Sequence, residues 1–399
     1  MTDTATAPPT GTVHPAFEPV REVFEGLFRS GAETGAALCV YHRGLPVVDL
    51  YGGVADPVTG APWRADTLVA LTSVTKTVLA TVVLRCAQDG LIDIDRPVAD
   101  HWPEFAAGGK GGITVATALS HRAGIPFFPR PVTFADQVAR TPVLEMLAGL
   151  RPVWEPGTRH GYHAITLGFL LTELLRRATG SSEGPLVRDV LARPLGLDLH
   201  LGLTPDQVPR VAGVVPPEDG EDRFDPSIAE YCAAVKDPSS LFHRATFGSS
   251  AMTFEDMNDV RYHTVERPAA GYATAAAVAR LFASLAGAPD GVRLLEPEWT
   301  DRARTPYAAG TDQVFRFETS FGLGYMLPGG RLWTGGSRAF GHIGSTGALA
   351  FADPEQQLAF AYLPNRMKHV YEFPDRRATA LARAAVAAAT ARPDGQESP

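Results

Sequence analysis

Strand-like segments lie near both ends of this chain and enclose a long helical middle. Residues 36–40 and 47–51 are short and apolar, and the turn residues Arg43-Gly44 between them predict a β-hairpin. Similar segments return only late in the sequence, at residues 321–326, 339–342, 348–352 and 358–363. One mainly antiparallel sheet built from both chain ends accounts for this distribution most economically.

Helical patterns occupy both the termini and the middle of the chain. Apolar residues recur at helical spacing between Phe17 and Phe28, and an Ala-rich helix is predicted at about residues 376–389. These terminal helices are expected to cover one face of the sheet. The middle, roughly residues 93–267, consists mainly of helical patterns and loops rich in Pro and Gly. The sequence therefore predicts an α+β fold, with an antiparallel sheet flanked by helices and a mainly helical subdomain.

We expect a single folded domain over residues 15–391. The predicted boundaries within it are about 15–75 and 270–391 for an α/β part, and about 76–269 for the helical part. The segments 1–14 and 392–399 are expected to be disordered tails. A cleft between the two parts is a usual place for a functional site.

Composition excludes several classes of protein. The chain is 45% hydrophobic, which is ample for a sizeable core, and its net charge of -8 disfavours a nucleic-acid partner. The N-terminus lacks the basic and apolar regions of a signal peptide, and no apolar stretch is long enough to span a bilayer. We therefore expect a cytoplasmic protein without a membrane partner. The three cysteines fit neither a disulfide framework nor a metal site, and no phosphate-binding loop is present, so no cofactor or metal is expected.

Ser73-Val74-Thr75-Lys76 is the sharpest chemical signal in the sequence. Apolar residues cover most of the helix predicted from Thr72 to about Asp89, which indicates a buried helix. Positions i and i+3 share a helix face, so the Ser73 hydroxyl and the Lys76 amine can touch. Burial disfavours the charged amine and lowers its pKa, which makes it a base for the hydroxyl. Ser73 is therefore predicted to be a nucleophile activated by Lys76.

This motif and several ordered segments around it resemble one family. Ser73-Val74-Thr75-Lys76, preceded by Asp66-Thr67-Leu68, is similar to the first motif of the serine β-lactamase and penicillin-binding-protein superfamily. Two further segments resemble landmarks of its class C-like branch, which includes the family VIII carboxylesterases: Leu119-Ser120-His121-Arg122-Ala123-Gly124 and Trp154-Glu155-Pro156-Gly157. The resemblance extends from about residue 35 to about residue 367 and implies a β-lactamase/transpeptidase-like fold.

The second motif of that family, Tyr-x-Asn, corresponds to Tyr162-His163-Ala164. By resemblance, the Tyr162 hydroxyl lies near Ser73 and Lys76, shares their proton and relays it to the leaving group. A Tyr162 anion is costly at neutral pH unless a nearby cation lowers the pKa of the phenol, and Lys76 is a cation that could do so. His163 replaces a small residue of the motif. It is expected either to line the substrate-binding cleft or to make a structural hydrogen bond.

The third motif, Lys-Thr-Gly or a variant on the strand beside the nucleophile, is assigned to His342-Ile343-Gly344. By resemblance, the backbone N–H groups of Ser345 and Ser73 form an oxyanion hole, and Gly344 lets the substrate approach the strand closely. Trp333-Thr334-Gly335-Gly336 is a rival, because it resembles the Trp-Gly-Gly variant of some family VIII esterases. The strand pattern after His342 favours the first assignment.

Two departures from the family pattern point to a substrate class. Ala164 replaces the Asn that binds the acylamino side chain of a β-lactam, and His342 replaces a lysine that supports carboxylate recognition. The resemblance therefore implies a serine carboxylesterase that takes a small-molecule acyl ester through an acyl-Ser73 intermediate. An acyltransferase, or a D-amino-acid peptidase or transpeptidase, is the alternative on this scaffold. A weak β-lactamase is the next alternative, and a catalytically inactive binding protein is the last.

Overall fold

Residues 8–217, 225–268, 271–329, 331 and 335–391 are described by a computed structural model of the chain. Within these residues the strands are β1 Thr10–Val13, β2 Gly35–His42, β3 Leu45–Asp56, β4 Ala61–Pro62, β5 Val69–Ala70, β6 Leu199–Leu201, β7 Gly271–Ala273, β8 Ala308–Thr311, β9 Glu318–Phe321, β10 Phe340–Ile343, β11 Leu349–Asp353 and β12 Leu358–Pro364. The α-helices in the same ranges are α1 Glu18–Arg29, α2 Thr75–Gln88, α3 Val115–Leu119, α4 Phe134–Ala139, α5 Thr141–Gly149, α6 Thr166–Thr179, α7 Glu183–Leu186, α8 Arg193–Leu195, α9 Ala229–Lys236, α10 Leu241–Ala245, α11 Val260–Thr264, α12 Ala275–Ala286, α13 Pro297–Ala303 and α14 Arg376–Thr390.

The main sheet joins the two ends of the chain. Its strand order is β1-β3-β2-β12-β11-β10, with β4 beside β3, and the pairs are antiparallel. The central pair is β2 with β12, which runs from His42 opposite Leu358 to Ala36 opposite Pro364. The N-terminal hairpin and the C-terminal strands therefore form one sheet, and the predicted α+β architecture is confirmed.

Both faces of this sheet are covered by helices. Successive side chains of a strand point to opposite faces, and β2 is apolar on both. Its even-numbered residues from 36 to 40 pack with α1 and α14, whereas its odd-numbered residues from 37 to 41 face α12 on the opposite side. The terminal helices thus cover one face, as the sequence predicts. The opposite face carries the helices that lead to the helical part.

The helix α2 occupies the centre of the molecule. Every residue from Thr75 to Ala87 except Arg85 is buried, as expected for a helix that is apolar nearly all round. A small sheet of order β5-β7-β6 fixes the chain just before this helix. The N–H of Leu71 donates to the carbonyl of Gly271 at 2.8 Å, and the Gly271 N–H donates to Thr75 Oγ1 at 2.8 Å. The start of α2 is therefore held from both sides.

Two expectations about the strands require correction. Thr10–Val13 pairs with residues 48–51 as an edge strand, so these four residues do not belong to the disordered tail expected at residues 1–14. β-branched residues favour such a strand, and backbone hydrogen bonds hold it although its side chains are largely exposed. The strand expected at residues 321–326 is instead β9, at Glu318–Phe321, because the chain turns at Gly324 with a φ of +84°. The segment 392–399 lies outside the described residues.

No helix in the described part of the chain combines the length and the apolar character that crossing a bilayer requires.

Candidate active site

Ser73 and Lys76 meet at the start of α2. Ser73 lies in a 3₁₀ turn, Thr72–Val74, that leads directly into the helix. The Lys76 Nζ atom is 3.1 Å from Ser73 Oγ, which is hydrogen-bond distance. Only 2% of Lys76 is exposed, and this burial lowers the pKa of its amine from 10.5 to about 7. A substantial fraction of Lys76 is therefore a neutral amine at neutral pH, next to a hydroxyl that it can deprotonate.

Tyr162 comes from the loop before α6 and completes this group. Its side chain hydrogen-bonds Ser73, and Lys76 Nζ lies 5.1 Å from the centre of its ring. The rings of Phe315 and Phe321 stack on it at centroid distances of 4.9 Å and 6.2 Å. The structure thus brings together the three residues that the sequence singles out.

The pKa of the Tyr162 phenol is shifted upward. Burial raises it well above the ordinary tyrosine value, and the hydrogen bond from Ser73 opposes this only in part. Burial in apolar surroundings therefore sets the direction of this pKa. The neutral phenol is the resting form, and Lys76 is the group that changes its protonation near neutral pH.

Asp312 anchors the Tyr162 loop, and sequence reasoning missed it. Its buried carboxylate accepts the N–H of Tyr162 at 3.1 Å and the N–H groups of Val314 and Phe315 at 2.7 Å and 2.8 Å. Burial nevertheless raises the pKa of Asp312 to about 6. Its only sequence signal is an Asp at the start of a turn, and such residues most often cap the backbone locally. The long-range bond to Tyr162 leaves no pattern in the sequence.

The segment after β10 lies beside Ser73. The N–H of Ser345 donates to Thr72 Oγ1 at 3.0 Å, one residue before Ser73. A Cβ atom at Gly344 would come within 2.5 Å of the same hydroxyl oxygen, so only glycine fits there. In the rival segment, Gly335 instead lies against the ring of Phe351, and Trp333-Thr334 lies outside the described residues. The segment that follows His342 therefore lies next to Ser73, and its assignment as the third motif stays a prediction.

His342 is buried and neutral. One ring nitrogen, Nδ1, donates to the carbonyl of Ile343 at 2.6 Å. The other, Nε2, is buried and has no hydrogen-bond partner among the described residues. Burial and the positive charge of nearby Lys76 lower the pKa of His342 to about 3. His342 thus offers a hydrogen-bond acceptor at the position where the family has a lysine cation.

His163 is held by the backbone on both sides. Its Nε2 accepts the N–H of Ile125 at 3.1 Å, and its Nδ1 donates to the carbonyl of Gly161 at 2.7 Å. The backbone N–H of His163 also donates to His121 Nδ1 at 3.0 Å. Both ring nitrogens are occupied, so of its two expected roles the structural hydrogen bond is observed. Its hydrogen bonds shape the loop that carries Tyr162, and a role of His163 in substrate binding stays a prediction.

The chain is similar to known proteins over most of its length. The beta-lactamase family model matches residues 20–384. "Esterase/beta-lactamase LipL" of Mycobacterium tuberculosis is 36% identical over 369 residues, which cover 90% of this chain and 83% of LipL. The crystal structure of a family VIII carboxylesterase is 34% identical, with a TM-score of 0.86, and the match covers 96% of this chain and 100% of that one. A penicillin-binding-protein homologue from Caulobacter crescentus is 36% identical, with a TM-score of 0.83 and the same coverage.

Proposed function

The chain belongs to the beta-lactamase family, and on that basis we propose that it is a serine hydrolase that cleaves small or medium acyl esters through an acyl-Ser73 intermediate. The esterase relative and the carboxylesterase structure support this reaction class. One observation carries the mechanism: a buried Lys76 amine, with its pKa lowered to about 7, lies 3.1 Å from Ser73 Oγ. A lysine in that state accepts a proton from the hydroxyl at neutral pH.

Acylation begins at this pair. Neutral Lys76 takes the proton of Ser73 as Oγ bonds to the carbonyl carbon of the ester, and negative charge develops on the carbonyl oxygen. The N–H groups of Ser73 and Ser345 are the donors proposed for that oxygen. When the tetrahedral intermediate collapses, the bond to the alkoxy oxygen breaks. The proton held by Lys76 passes through the Tyr162 hydroxyl to that oxygen, which leaves as the alcohol.

Deacylation reverses the proton path with water as the nucleophile. Water attacks the acyl carbon, its proton moves to Lys76 by way of Tyr162, and Ser73 recovers a proton as the acid leaves. Because the pKa of Tyr162 is raised, its hydroxyl gives one proton as it receives another and does not persist as an anion. The stacked Phe315 ring and the Asp312 anchor support a fixed position for this relay.

The polar groups around the site favour an uncharged ester over a β-lactam. His342 is neutral, so it supplies no cation for a substrate carboxylate. Ala164 has no side-chain donor or acceptor where the family uses an Asn amide. Neither change touches the Ser73–Lys76 pair, which keeps its contact. The proposed substrates are therefore esters recognised mainly by shape and by their carbonyl group.

Loss of the nucleophile tests the mechanism. We expect Ser73→Ala to lower kcat/KM for p-nitrophenyl butyrate at least about a thousand-fold, because the oxyanion donors alone give little acceleration. Ser239→Ala is the matched control, since Ser239 is an exposed serine of the helical part whose hydroxyl binds only the nearby Asp237. Intact-mass spectrometry after exposure to a fluorophosphonate should show one adduct on the native chain and none on Ser73→Ala. Full esterase activity in Ser73→Ala would exclude the proposal.

The competing activities on this scaffold differ in the molecule that accepts the acyl group from Ser73. Added methanol would partition the acyl group between acid and methyl ester, and a hydrolase is expected to give mainly the acid. Methyl ester as the main product would favour the acyltransferase alternative. Nitrocefin turnover as fast as ester turnover would favour a β-lactamase and would contradict the role given to neutral His342.

A further inference from the structure

The hydroxyl of Thr72 takes no part in the mechanism above, yet it contacts the backbone N–H of Ser345, a proposed oxyanion donor. Its oxygen accepts the Ser345 N–H at 3.0 Å. The same oxygen is packed against Gly344, where even a Cβ atom would come within 2.5 Å of it. An N–H directed at one acceptor cannot give a second hydrogen bond of full strength. The Ser345 N–H is therefore already engaged by the Thr72 hydroxyl.

The backbone holds the Thr72 hydroxyl in this position. Thr72 has a φ of +46°, in the left-handed region that a β-branched residue rarely adopts. The preceding residue is fixed on both sides: the Leu71 N–H donates to Gly271, and the Leu71 carbonyl accepts the N–H of Val74 at 3.1 Å. Such a conformation persists only where its surroundings impose it. The contact with Ser345 is thus imposed by the fold around Thr72.

We propose that the Thr72 hydroxyl occupies the oxyanion hole before substrate binds and leaves the Ser345 N–H when the carbonyl oxygen of the substrate takes its place. The inference rests on the proposed function. An oxyanion is a stronger acceptor than a neutral hydroxyl, so the exchange is driven by the charge that develops during acylation. Thr72 acts through Ser345 as a positioning residue, and it opposes the binding of any carbonyl group that competes weakly for this N–H.

A matched pair of variants isolates the hydroxyl. Thr72→Ser and Thr72→Ala both lack the γ-methyl group and differ by a single oxygen atom. Phenylboronic acid is the probe, because boron accepts the Ser73 oxygen and presents a boronate oxygen to the oxyanion hole. We expect the Ala variant to bind it about three to ten times more tightly than the Ser variant, because it has no internal hydrogen bond to break. The value of kcat/KM for p-nitrophenyl butyrate should rise by a similar factor.

Folding and chemistry are controlled separately. If Thr72→Ala folds poorly, Thr72→Gly removes the same hydroxyl and suits the left-handed backbone. Thermal unfolding of each full-length variant establishes that it is folded before binding is measured. Because all comparisons use the same boronate and the same ester, differences in substrate fit elsewhere in the cleft cancel.

Each outcome decides one claim. Equal boronate affinities in the Ser and Ala variants would overturn the inference. Weaker binding in the Ala variant would also overturn it, because the hydroxyl would then be a donor to the oxyanion. Retention of boronate binding and esterase activity by Ser73→Ala would contradict the proposed function itself. Loss of both in Ser73→Ala, together with equal affinities in the Thr72 pair, would remove the Thr72 inference alone.

Discussion

Replacement of Lys76 by Met should abolish activity and stabilise the fold, and the stabilisation should depend on pH. The amine is 2% exposed, and burial lowers its pKa from 10.5 to about 7. Between these two pH values the unfolded chain binds one proton more than the folded chain, so the free energy of unfolding rises with pH. The destabilisation by Lys76 is thus complete below about pH 7 and disappears above about pH 10.5.

The size of the effect follows from the shift. Each pH unit between the two pKa values corresponds to about 1.4 kcal/mol, so the destabilisation by Lys76 is roughly 5 kcal/mol at pH 6 and roughly 1 kcal/mol at pH 10. Met has a similar length and no charge to bury. The substitution also removes the hydrogen bond between Lys76 and Ser73, and this loss costs about 1 kcal/mol of stability at both pH values. The pH-dependent part of the difference therefore remains about 4 kcal/mol.

Urea unfolding of the native chain and of Lys76→Met at pH 6 and pH 10 would measure this difference. The two proteins share all other titrating groups, so the contributions of those groups to the free energy of unfolding cancel when the proteins are compared at one pH. Lys236→Met is the control, because Lys236 is an exposed lysine at the end of α9 and its replacement should give a small and constant change. A stability difference between native chain and Lys76→Met that is the same at both pH values would refute the reasoning.

Three further perturbations test the site and its support. The kcat/KM for p-nitrophenyl butyrate should rise with pH and level off above about pH 7, because Lys76 loses its proton there. A kcat/KM that is constant from pH 5.5 to 8 would contradict the role of Lys76 as the base. Lys110→Met should destabilise the fold in urea unfolding more at pH 10 than at pH 7. It leaves the carbonyls of Ala107, Ala148 and Leu150 without their donor, whereas burial lowers the pKa of Lys110 to about 8 and makes the charged amine unfavourable at the lower pH. A loss of stability that is the same at both pH values would argue against this account. Arg377→Met should cost about 3–5 kcal/mol, because it leaves the buried Glu33 carboxylate without its ion pair at 2.5 Å. Adding Glu33→Gln should recover part of that loss, and an additive double variant would show that the two groups are not coupled.

Local patterns in the sequence were enough to predict the sheet and the contact between Ser73 and Lys76. β2 and β12 are continuous apolar segments because helices cover both faces of the sheet, and such segments are visible without knowledge of their partners. Ser73 and Lys76 belong to one helical turn, so their contact follows from helix geometry alone. Tyr162 required the family resemblance, since no local rule brings that loop to α2.

The parts that could not be predicted depend on contacts between distant segments. The bond from Asp312 to the Tyr162 N–H joins a turn near β9 to the loop before α6. The pKa of Tyr162 depends on burial, which the sequence around a loop residue does not reveal. The edge strand β1 is held by backbone hydrogen bonds to β3, so its exposed side chains give only the weak signal of β-branched residues.

The pairing of β2 with β12 has a consequence for how the protein is made. A ribosome releases the hairpin of β2 and β3 early, but β12 is among the last segments to be synthesised. Until then one edge of β2 carries free backbone donors and acceptors, and such an edge readily pairs with another chain. A nascent chain released before Leu358 would contain Ser73, Lys76 and Tyr162 yet lack the strand that closes the sheet. Premature termination in the last part of the gene therefore yields an aggregation-prone polypeptide and no partially active enzyme.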